Sequence, residues 1–189
     1  LESILSAKAS KIKVIYEGVN ENFYPIDNLA ELTPTLKKYQ IDQDFLLYTG
    51  VWRDHKNLRG LIDGFFIVQN NFPNIKLIIT GKTDNIYAPE IFKQVEKLNL
   101  KEKIIFTGLV SELELVHLIN AAAVYVFPSF YEGFGLPALE AMQCGTPVAV
   151  SNTSSLPEIC QDNVMYFNPY KPKELAKAVE KLLTNTELY

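Results

Sequence analysis

Short apolar runs that alternate with helical patterns are the feature of this 189-residue chain that most restricts its fold. The runs are nearly continuous in Val, Ile, Leu, Phe and Tyr, which is typical of strands buried on both faces of a sheet. We predict seven strands, in KIKVIY at Lys11, FLLYTG at Phe45, IKLIITG at Ile75, KIIFTG at Lys103, AVYVFPS at Ala123, TPVAVS at Thr146 and MYF at Met165.

Helical patterns lie between these strands. They cover residues 57–69, 88–98, 111–120, 136–144 and 171–183, and the third begins with a capping box in SELE, from Ser111 to Glu114. Regular alternation of strand and helix predicts an α/β fold, a Rossmann-like doubly wound parallel sheet. In such a sheet the ligand lies beyond the carboxyl ends of the strands.

The length of the chain limits the number of domains, and its net charge limits the classes of partner that we expect. A chain of 189 residues with 48% hydrophobic residues is long enough for one well-packed domain, which we assign to residues 1–189. The 18 basic and 22 acidic residues are interspersed and give a net charge of −4, so no nucleic acid partner is expected.

Cysteine, histidine and hydropathy patterns argue against a metal site and a membrane span. Cys144 and Cys160 lack CxxC spacing and are expected to be buried, reduced thiols, while His55 and His117 have no partner at metal-ligand spacing. The longest apolar run, AAAVYVF from Ala121, is far shorter than the roughly 20 residues that cross a bilayer. We therefore expect a soluble, cytoplasmic chain with no metal and no cofactor.

The sequence patterns near both ends of the chain are typical of connections to further protein sequence. Residues 17–39 are rich in Asn and Pro and are predicted to be irregular, which is long for a connection inside a compact domain. The last helical pattern runs on to Tyr189 without a glycine stop. We expect residues 10–40 to be a linker from a preceding domain and the C-terminal end to be truncated.

Glycines recur where the predicted strands end. Gly50, Gly81 and Gly108 each follow a strand. At such positions the backbone needs either a positive φ or close approach to a ligand, and ordinary turn formation explains a single glycine equally well. We include Gly81 among the candidate ligand-binding residues.

The helix predicted after GFG lacks a capping side chain. Pro137 suits its first turn, and Leu136 before it has no side-chain oxygen to accept a hydrogen bond. Backbone N–H groups at the positive end of a helix dipole form an anion site, although water can also satisfy them. The pattern favours a phosphate at this helix.

Two cations follow the second predicted strand, in WRDHKN. Arg53 and Lys56 lie on the loop that enters the next helix, at the same predicted edge of the sheet. Arginine binds phosphate in a bidentate manner and lysine adds a point charge. The alternative is a solvated loop in which Asp54 neutralises one cation. We favour a shared anion because the uncapped helix lies at the same edge.

Two glutamates flank that helix start, Glu132 and Glu140. A carboxylate about 4 Å from a phosphate oxygen costs on the order of 4 kcal/mol at an effective dielectric of 20, so neither should face the phosphates. We predict that both accept hydrogen bonds from hydroxyl groups on either side of a diphosphate, which describes a nucleotide sugar. The alternative for Glu140 is a carboxylate that reaches solvent from an apolar helix.

A competing motif is GFGLPA, from Gly133 to Ala138, which fits the GxGxxA pattern of NAD-binding proteins. That pattern should follow its strand directly, and the next strand should end in an acidic residue. Here PSFYE intervenes and the next strand ends in Ser151 and Asn152, so NAD binding is disfavoured.

The segment YEGFGLPALEAMQCGTPVAVSNTSSLPEI closely resembles the nucleotide-sugar-binding domain of retaining GT-B glycosyltransferases of family 4, also called group 1. The resemblance continues in VIYEGVNENFYP, YTGVWRDHKNLRGLIDGF, LIITGK and IIFTGLVSELELVHLINAAAVYVFPS, and so spans almost the whole chain. Asn20 departs from the family pattern, which has aspartate there.

This resemblance implies roles for individual residues. Arg53 and Lys56 would bind the donor diphosphate, and Glu132 would contact hydroxyls of the transferred sugar. The other implied donor-binding residues are Glu140 at the ribose, Val110 at the base, and the backbone of Gly133, Phe134, Gly135 and Leu136 at the sugar and phosphates. Arg53, Lys56 and Glu132 would form the catalytic group.

The resemblance also implies an activity. The chain would be one half of a GT-B fold, the donor domain of a metal-independent, retaining hexosyltransferase. A preceding domain would bind the acceptor, a glycan, lipid or small molecule, and would permit peripheral association with the cytoplasmic face of a membrane. The isolated chain would then be inactive. The alternatives are an epimerase-like or phosphorylase-like relative and a non-catalytic module of the same fold.

Overall fold

The computed structural model describes residues 9–185, and its centre is a six-stranded parallel sheet in the order β3-β2-β1-β4-β5-β6. Six of the seven predicted strands are confirmed: β1 Phe45–Tyr48, β2 Lys76–Thr80, β3 Ile104–Gly108, β4 Val124–Phe127, β5 Val148–Ser151 and β6 Met165–Phe167. The order reverses between β1 and β4, which pair directly. The predicted doubly wound α/β fold is therefore confirmed.

Seven α-helices connect and cover the described strands. They are α1 Thr33–Lys38, α2 Leu58–Val68, α3 Ala88–Lys97, α4 Glu112–Ala121, α5 Leu136–Gln143, α6 Leu156–Cys160 and α7 Pro172–Thr184. All five predicted helices are present, and the capping box of Ser111 and Glu114 forms in full. The predicted continuation of α7 to Tyr189 concerns residues 186–189, which lie outside the described residues.

Burial on both faces of the sheet explains why its strands are nearly continuous apolar runs. In β1, Leu46 and Tyr48 join a core cluster with α2 and α7, while Phe45 and Leu47 join a second cluster with α4 and α5. Removing each such side chain from water stabilises the fold by roughly 1.5–3 kcal/mol. Both cysteines are also buried, as predicted, and burial raises the pKa of the Cys160 thiol to about 11.

The predicted strand in KIKVIY is wrong. Ala9–Lys11 forms a 3₁₀ turn and the chain then runs irregularly, with the Ile15 side chain 80% exposed. A β-branched run forms a strand only where a neighbouring strand and a buried face accept it. The Tyr16 hydroxyl instead donates a hydrogen bond to the Glu158 carboxylate, 2.7 Å away.

The irregular segment predicted over residues 17–39 is only partly correct, because α1 lies inside it. Pro34 occupies the first turn of α1, and Pro157 occupies the first turn of α6, a second helix that we did not predict. Proline fits the start of a helix because its missing N–H would have no intrahelical partner there. Pro34 was counted toward the irregular segment, although it marks the start of a helix.

Candidate active site

Two loops meet where the strand order reverses. The β1 loop (residues 49–57) follows β1, and the β4 loop (residues 128–135) follows β4. The carboxyl ends of adjacent parallel strands open a crevice at such a point. A backbone hydrogen bond of 2.7 Å from the Phe130 N–H to the His55 carbonyl joins the two loops.

Lys56 and Glu132 form an ion pair across this crevice. The Lys56 ammonium lies 2.7 Å from Oε1 and 3.0 Å from Oε2 of Glu132, and the side chains are only 13% and 10% exposed. The ammonium also lies 5.3 Å from the centre of the Phe127 ring, within cation–π range. Sequence reasoning placed both residues at the site without foreseeing that they pair.

Arg53 also lies on the β1 loop, three residues before Lys56. It is exposed, and in the chain from 9 to 185 no carboxylate pairs with its guanidinium. It lines a cavity of about 410 Å³ together with Phe130 and Tyr170. The structure thus leaves Arg53 available for an anion, whereas Lys56 already has a carboxylate partner.

The β4 loop leads into the uncapped helix that the sequence predicted. Gly135 is the N-cap of α5, so Leu136 is the first residue of the helix, and no N-cap side chain accepts from the first N–H groups. Gly135 has φ of +112°, and a Cβ there would lie 2.6 Å from Cδ2 of Leu156. Only glycine fits this position, and glycine leaves the N-terminus of α5 without a capping side chain.

Two serines that sequence reasoning missed hold the β4 loop. The Glu132 N–H donates to Oγ of Ser154 over 2.9 Å, and the Ser155 hydroxyl lies 3.1 Å from the Glu132 carbonyl and 2.8 Å from the Phe134 carbonyl. The serine-rich run after β5, SNTSS, was the available signal. These contacts fix the backbone on which Glu132 and Gly133 lie.

Asn57 is a third residue that sequence reasoning missed, and its side chain holds three segments together. Its side chain accepts the Gly60 N–H as the N-cap of α2 and donates to the carbonyls of Pro128 and Pro169, over 3.0 Å and 2.9 Å. Its backbone is left-handed, with φ of +55°. Because Asn57 directly follows Lys56, these bonds set the position of the lysine.

Glu140 lies on α5, one helical turn beyond its start. Its side chain is half-buried, and within the described residues no hydrogen bond or ion pair reaches its carboxylate. Burial raises the pKa of Glu140, and the nearby Glu112 carboxylate raises it further. A ligand that donates hydroxyl groups would offset both effects.

We expect Glu112→Gln to lower the pKa of Glu140 part of the way toward 4.5, because burial is the larger cause of the shift. Since the native pKa is raised, native Glu140 holds its proton to higher pH than the unfolded chain does. The stability of the fold therefore falls as pH rises from the pKa of Glu140 in the unfolded chain to its higher pKa in the folded chain. Glu140→Gln removes this effect and should raise the free energy of unfolding at pH 7 by less than about 1 kcal/mol, because Glu140 is partly exposed.

Carboxyl NMR titration and urea unfolding measure these two effects. Glu102→Gln, ahead of β3 at the opposite edge of the sheet, is the matched control and should change neither. An unchanged Glu140 pKa in Glu112→Gln would contradict this prediction.

The remaining candidates, Val110 and Gly81, lie at neighbouring strand ends. Val110 is half-buried beyond β3 and packs on the core cluster beneath α4. Gly81 has φ of +110°, and a Cβ there would lie 2.1 Å from the Gly50 carbonyl oxygen. The packing of the β1 loop thus requires glycine at 81 without any ligand, and donor contact by Gly81 stays a prediction.

Metal clusters and membrane-crossing helices are both absent among the side chains and helices of residues 9–185. The structure there has neither a cluster of three or more metal-ligating side chains nor a helix long and apolar enough to cross a membrane.

A family model described as glycosyl transferases group 1 matches residues 35–189. Among curated proteins, the serotype-specific mannosyltransferase WbdA of Escherichia coli is 33% identical over 187 residues, covering 96% of this chain. The chain spans 23% of the length of that relative. The match to this relative covers nearly the whole chain, and the family model covers it from residue 35 onward.

Solved structures match the fold. The C-terminal domain of a group 1 glycosyltransferase, LpcC of Francisella tularensis, aligns with TM-score 0.76 and 23% identity over 91% of this chain and 90% of that one. HepE of Anabaena, solved with UDP-glucose, aligns with TM-score 0.85 and 22% identity over 96% of this chain and 50% of that one. The sheet and its helices therefore correspond to one half of a GT-B fold.

Proposed function

The chain belongs to the glycosyl transferases group 1 family, and on that premise we propose that it binds a nucleoside-diphosphate sugar at the crevice between the β1 and β4 loops. The observation that carries the proposal is the Lys56–Glu132 ion pair beside the uncapped start of α5. A cation and a free helix N-terminus suit a diphosphate, and a carboxylate suits sugar hydroxyls.

The burial of the Lys56–Glu132 ion pair supports binding of an intact nucleotide sugar. Removing either partner leaves the other charge uncompensated in a site where each side chain is only about a tenth exposed. A nucleotide sugar replaces both partners at once, because its phosphates pair with Lys56 while its sugar hydroxyls donate to Glu132. A nucleoside diphosphate without sugar satisfies only Lys56. The pair thus favours the intact donor.

In this proposal, the other candidate residues contact the remaining parts of the donor. The N–H groups of Gly133, Phe134, Gly135 and Leu136 meet the sugar and phosphates, and Arg53 supplies a second cation. Glu140 accepts from the ribose hydroxyls, which fits a half-buried carboxylate that has no partner among the described residues. Val110 lies by the base, with Gly81 at the neighbouring strand end.

Catalysis in this proposal is electrostatic. Charge that develops on the leaving diphosphate is stabilised by Lys56, Arg53 and the N-terminus of α5, groups already oriented before the reaction. Glu132 positions the departing sugar. We propose transfer of a hexose with retention of configuration and without metal, to an acceptor on a preceding domain, in a protein that works at the cytoplasmic side of a membrane.

Calorimetry with nucleoside diphosphates of several bases, each with and without a hexose, tests the donor site. We expect one base to be preferred and its nucleotide sugar to bind more tightly than its diphosphate. Absence of binding by the whole panel would refute the proposal.

Assays with an acceptor test transfer, and assays without one test epimerisation of the donor. We expect the 189-residue chain neither to transfer sugar nor to epimerise the donor. Epimerised nucleotide sugar would favour the epimerase-like alternative, and transfer by the chain alone would refute the requirement for a second domain. Retention is measured on the two-domain protein by NMR of the product anomer.

A further inference from the structure

We propose that Tyr16 is a positioning residue of the donor site, and that it keeps the β4 loop in the conformation that meets the sugar and phosphates. Tyr16 is the first residue of the N-terminal segment (residues 16–26), which precedes α1. Its contact is with Phe134 of the loop, so Tyr16 acts on the donor only through that loop. The assignment rests on the proposed donor site.

The Tyr16 side chain contacts both the β4 loop and the helix that supports this loop. The centre of its ring lies 6.3 Å from the centre of the Phe134 ring, with the two planes inclined by 49°, which is a tilted aromatic pair. The Tyr16 hydroxyl donates to Oε1 of Glu158 on α6, over 2.7 Å. Tyr16 therefore connects the loop to α6 through a third segment of the chain.

The part of the β4 loop beside Tyr16 has little packing of its own. Gly133 is exposed, and a Cβ added there would meet no other heavy atom of residues 9–185 within 4 Å. The Phe134 carbonyl accepts a hydrogen bond from the Ser155 hydroxyl over 2.8 Å, so α6 holds the backbone of the loop. Ordering a loosely packed loop costs conformational entropy when a ligand binds. A ring that already holds Phe134 lowers this cost and raises the donor affinity.

The N-terminal segment is itself fixed to the core, which gives Tyr16 a firm support. Phe23 is only 4% exposed and belongs to the core cluster with α4 and α5. The Asn120 side chain on α4 accepts the Ile26 N–H over 2.7 Å and donates to the Tyr24 carbonyl over 3.1 Å. The segment that carries Tyr16 is therefore held in place before any donor binds.

The exposure of Tyr16 separates a positioning role from a structural one. The residue is 57% exposed, and Glu158 is exposed as well. A hydrogen bond to an exposed carboxylate contributes little to global stability, because water competes for both partners. Loss of the Tyr16 side chain should therefore change the order of the β4 loop and the donor affinity, while the free energy of unfolding stays nearly unchanged.

Calorimetry with the preferred nucleotide sugar and NMR amide exchange of residues 133–135 measure the two effects on the same variants. We expect Tyr16→Ala to weaken nucleotide-sugar binding about fivefold and to speed exchange of these amides, because the ring pair and the bond to Glu158 are both lost. Tyr16→Phe retains the ring and should weaken binding only about twofold. Tyr24→Ala, at another exposed tyrosine of the segment, is the matched control and should change neither.

A double variant tests whether Tyr16 and Glu158 act through their shared bond. Tyr16→Phe and Glu158→Ala each remove that hydrogen bond. The double variant should therefore bind the donor no more weakly than either single variant, and additive losses would show that the bond is not the cause.

The donor site and the role of Tyr16 fail in different ways. Donor affinity and amide exchange in Tyr16→Ala equal to those of wild type would overturn the positioning role and leave the donor site standing. A marked fall in the urea midpoint together with the loss of affinity would also overturn it, because a structural defect would explain both. Wild-type chain that binds no member of the nucleotide panel would refute the proposed function, and amide exchange in Tyr16→Ala would then decide alone whether Tyr16 holds the loop.

Discussion

Lys56→Ala is expected to weaken binding of the preferred nucleotide sugar by about a hundredfold. The lysine is 13% exposed, so its bond to a phosphate forms in a partly dry site, where a charge-assisted bond contributes roughly 1.5–3 kcal/mol. The substitution also leaves Glu132 without its cation, and that carboxylate then repels the phosphates. Calorimetry on the folded variant measures the loss.

Two controls separate charge from packing. Lys56→Met retains most of the aliphatic stem and should lose nearly as much affinity as Lys56→Ala. Lys101→Ala breaks an exposed ion pair, to Glu96 over 2.7 Å with both side chains 66% exposed, and should leave donor affinity unchanged. Donor affinity in Lys56→Ala within threefold of wild type would rule out the lysine as the phosphate partner.

Glu132→Gln tests whether the ion pair selects the intact donor. The variant frees Lys56 without leaving a buried negative charge, so a nucleoside diphosphate should bind more tightly than to wild type. The nucleotide sugar should gain less, because its hydroxyls lose a carboxylate acceptor. The ratio of the nucleotide-sugar affinity to the nucleoside-diphosphate affinity should therefore fall. An unchanged ratio would show that Glu132 does not distinguish the sugar.

The strands of the sheet could be predicted from the sequence because burial on both faces requires nearly continuous runs of apolar residues. Strands such as VYVF and VAVS have every side chain buried, so their composition alone separates them from the helices. KIKVIY is also rich in β-branched and aromatic residues but forms no strand, because propensity reports what a residue fits and not whether a neighbouring strand is present.

The sequence predicted the members of the site but not their contacts. Lys56 and Glu132 are 76 positions apart, and only the adjacency of β1 and β4 brings them together. A cation and a carboxylate at one sheet edge can each face a ligand or face each other. The choice depends on side-chain packing that no local pattern encodes.

Asn57 shows the same limit more sharply. Its position at the start of a predicted helix was a sign of capping, and the cap is present. Its other two bonds reach carbonyls 71 and 112 positions away, and proline at both of those positions gave no hint that an amide would be required.

Asn57→Ala is expected to lower the free energy of unfolding by roughly 3–7 kcal/mol. It leaves two carbonyls without donors in a buried site, at about 1–3 kcal/mol each, and removes a helix cap that contributes about 1 kcal/mol. Urea unfolding followed by Trp52 fluorescence measures the change. The loosened β1 loop should also weaken nucleotide-sugar binding, because Lys56 loses its support.

Two further substitutions divide this effect among its causes. Asn57→Gly accepts the φ of +55° without strain, so its difference from Asn57→Ala reports backbone strain of about 1 kcal/mol. Asn57→Asp retains the acceptor for Gly60 but places a carboxylate against two carbonyl oxygens, and should be at least as destabilising as alanine at pH 7. If Asn57→Ala changed stability by less than about 0.5 kcal/mol, as a surface substitution does, the three segments would not depend on this amide.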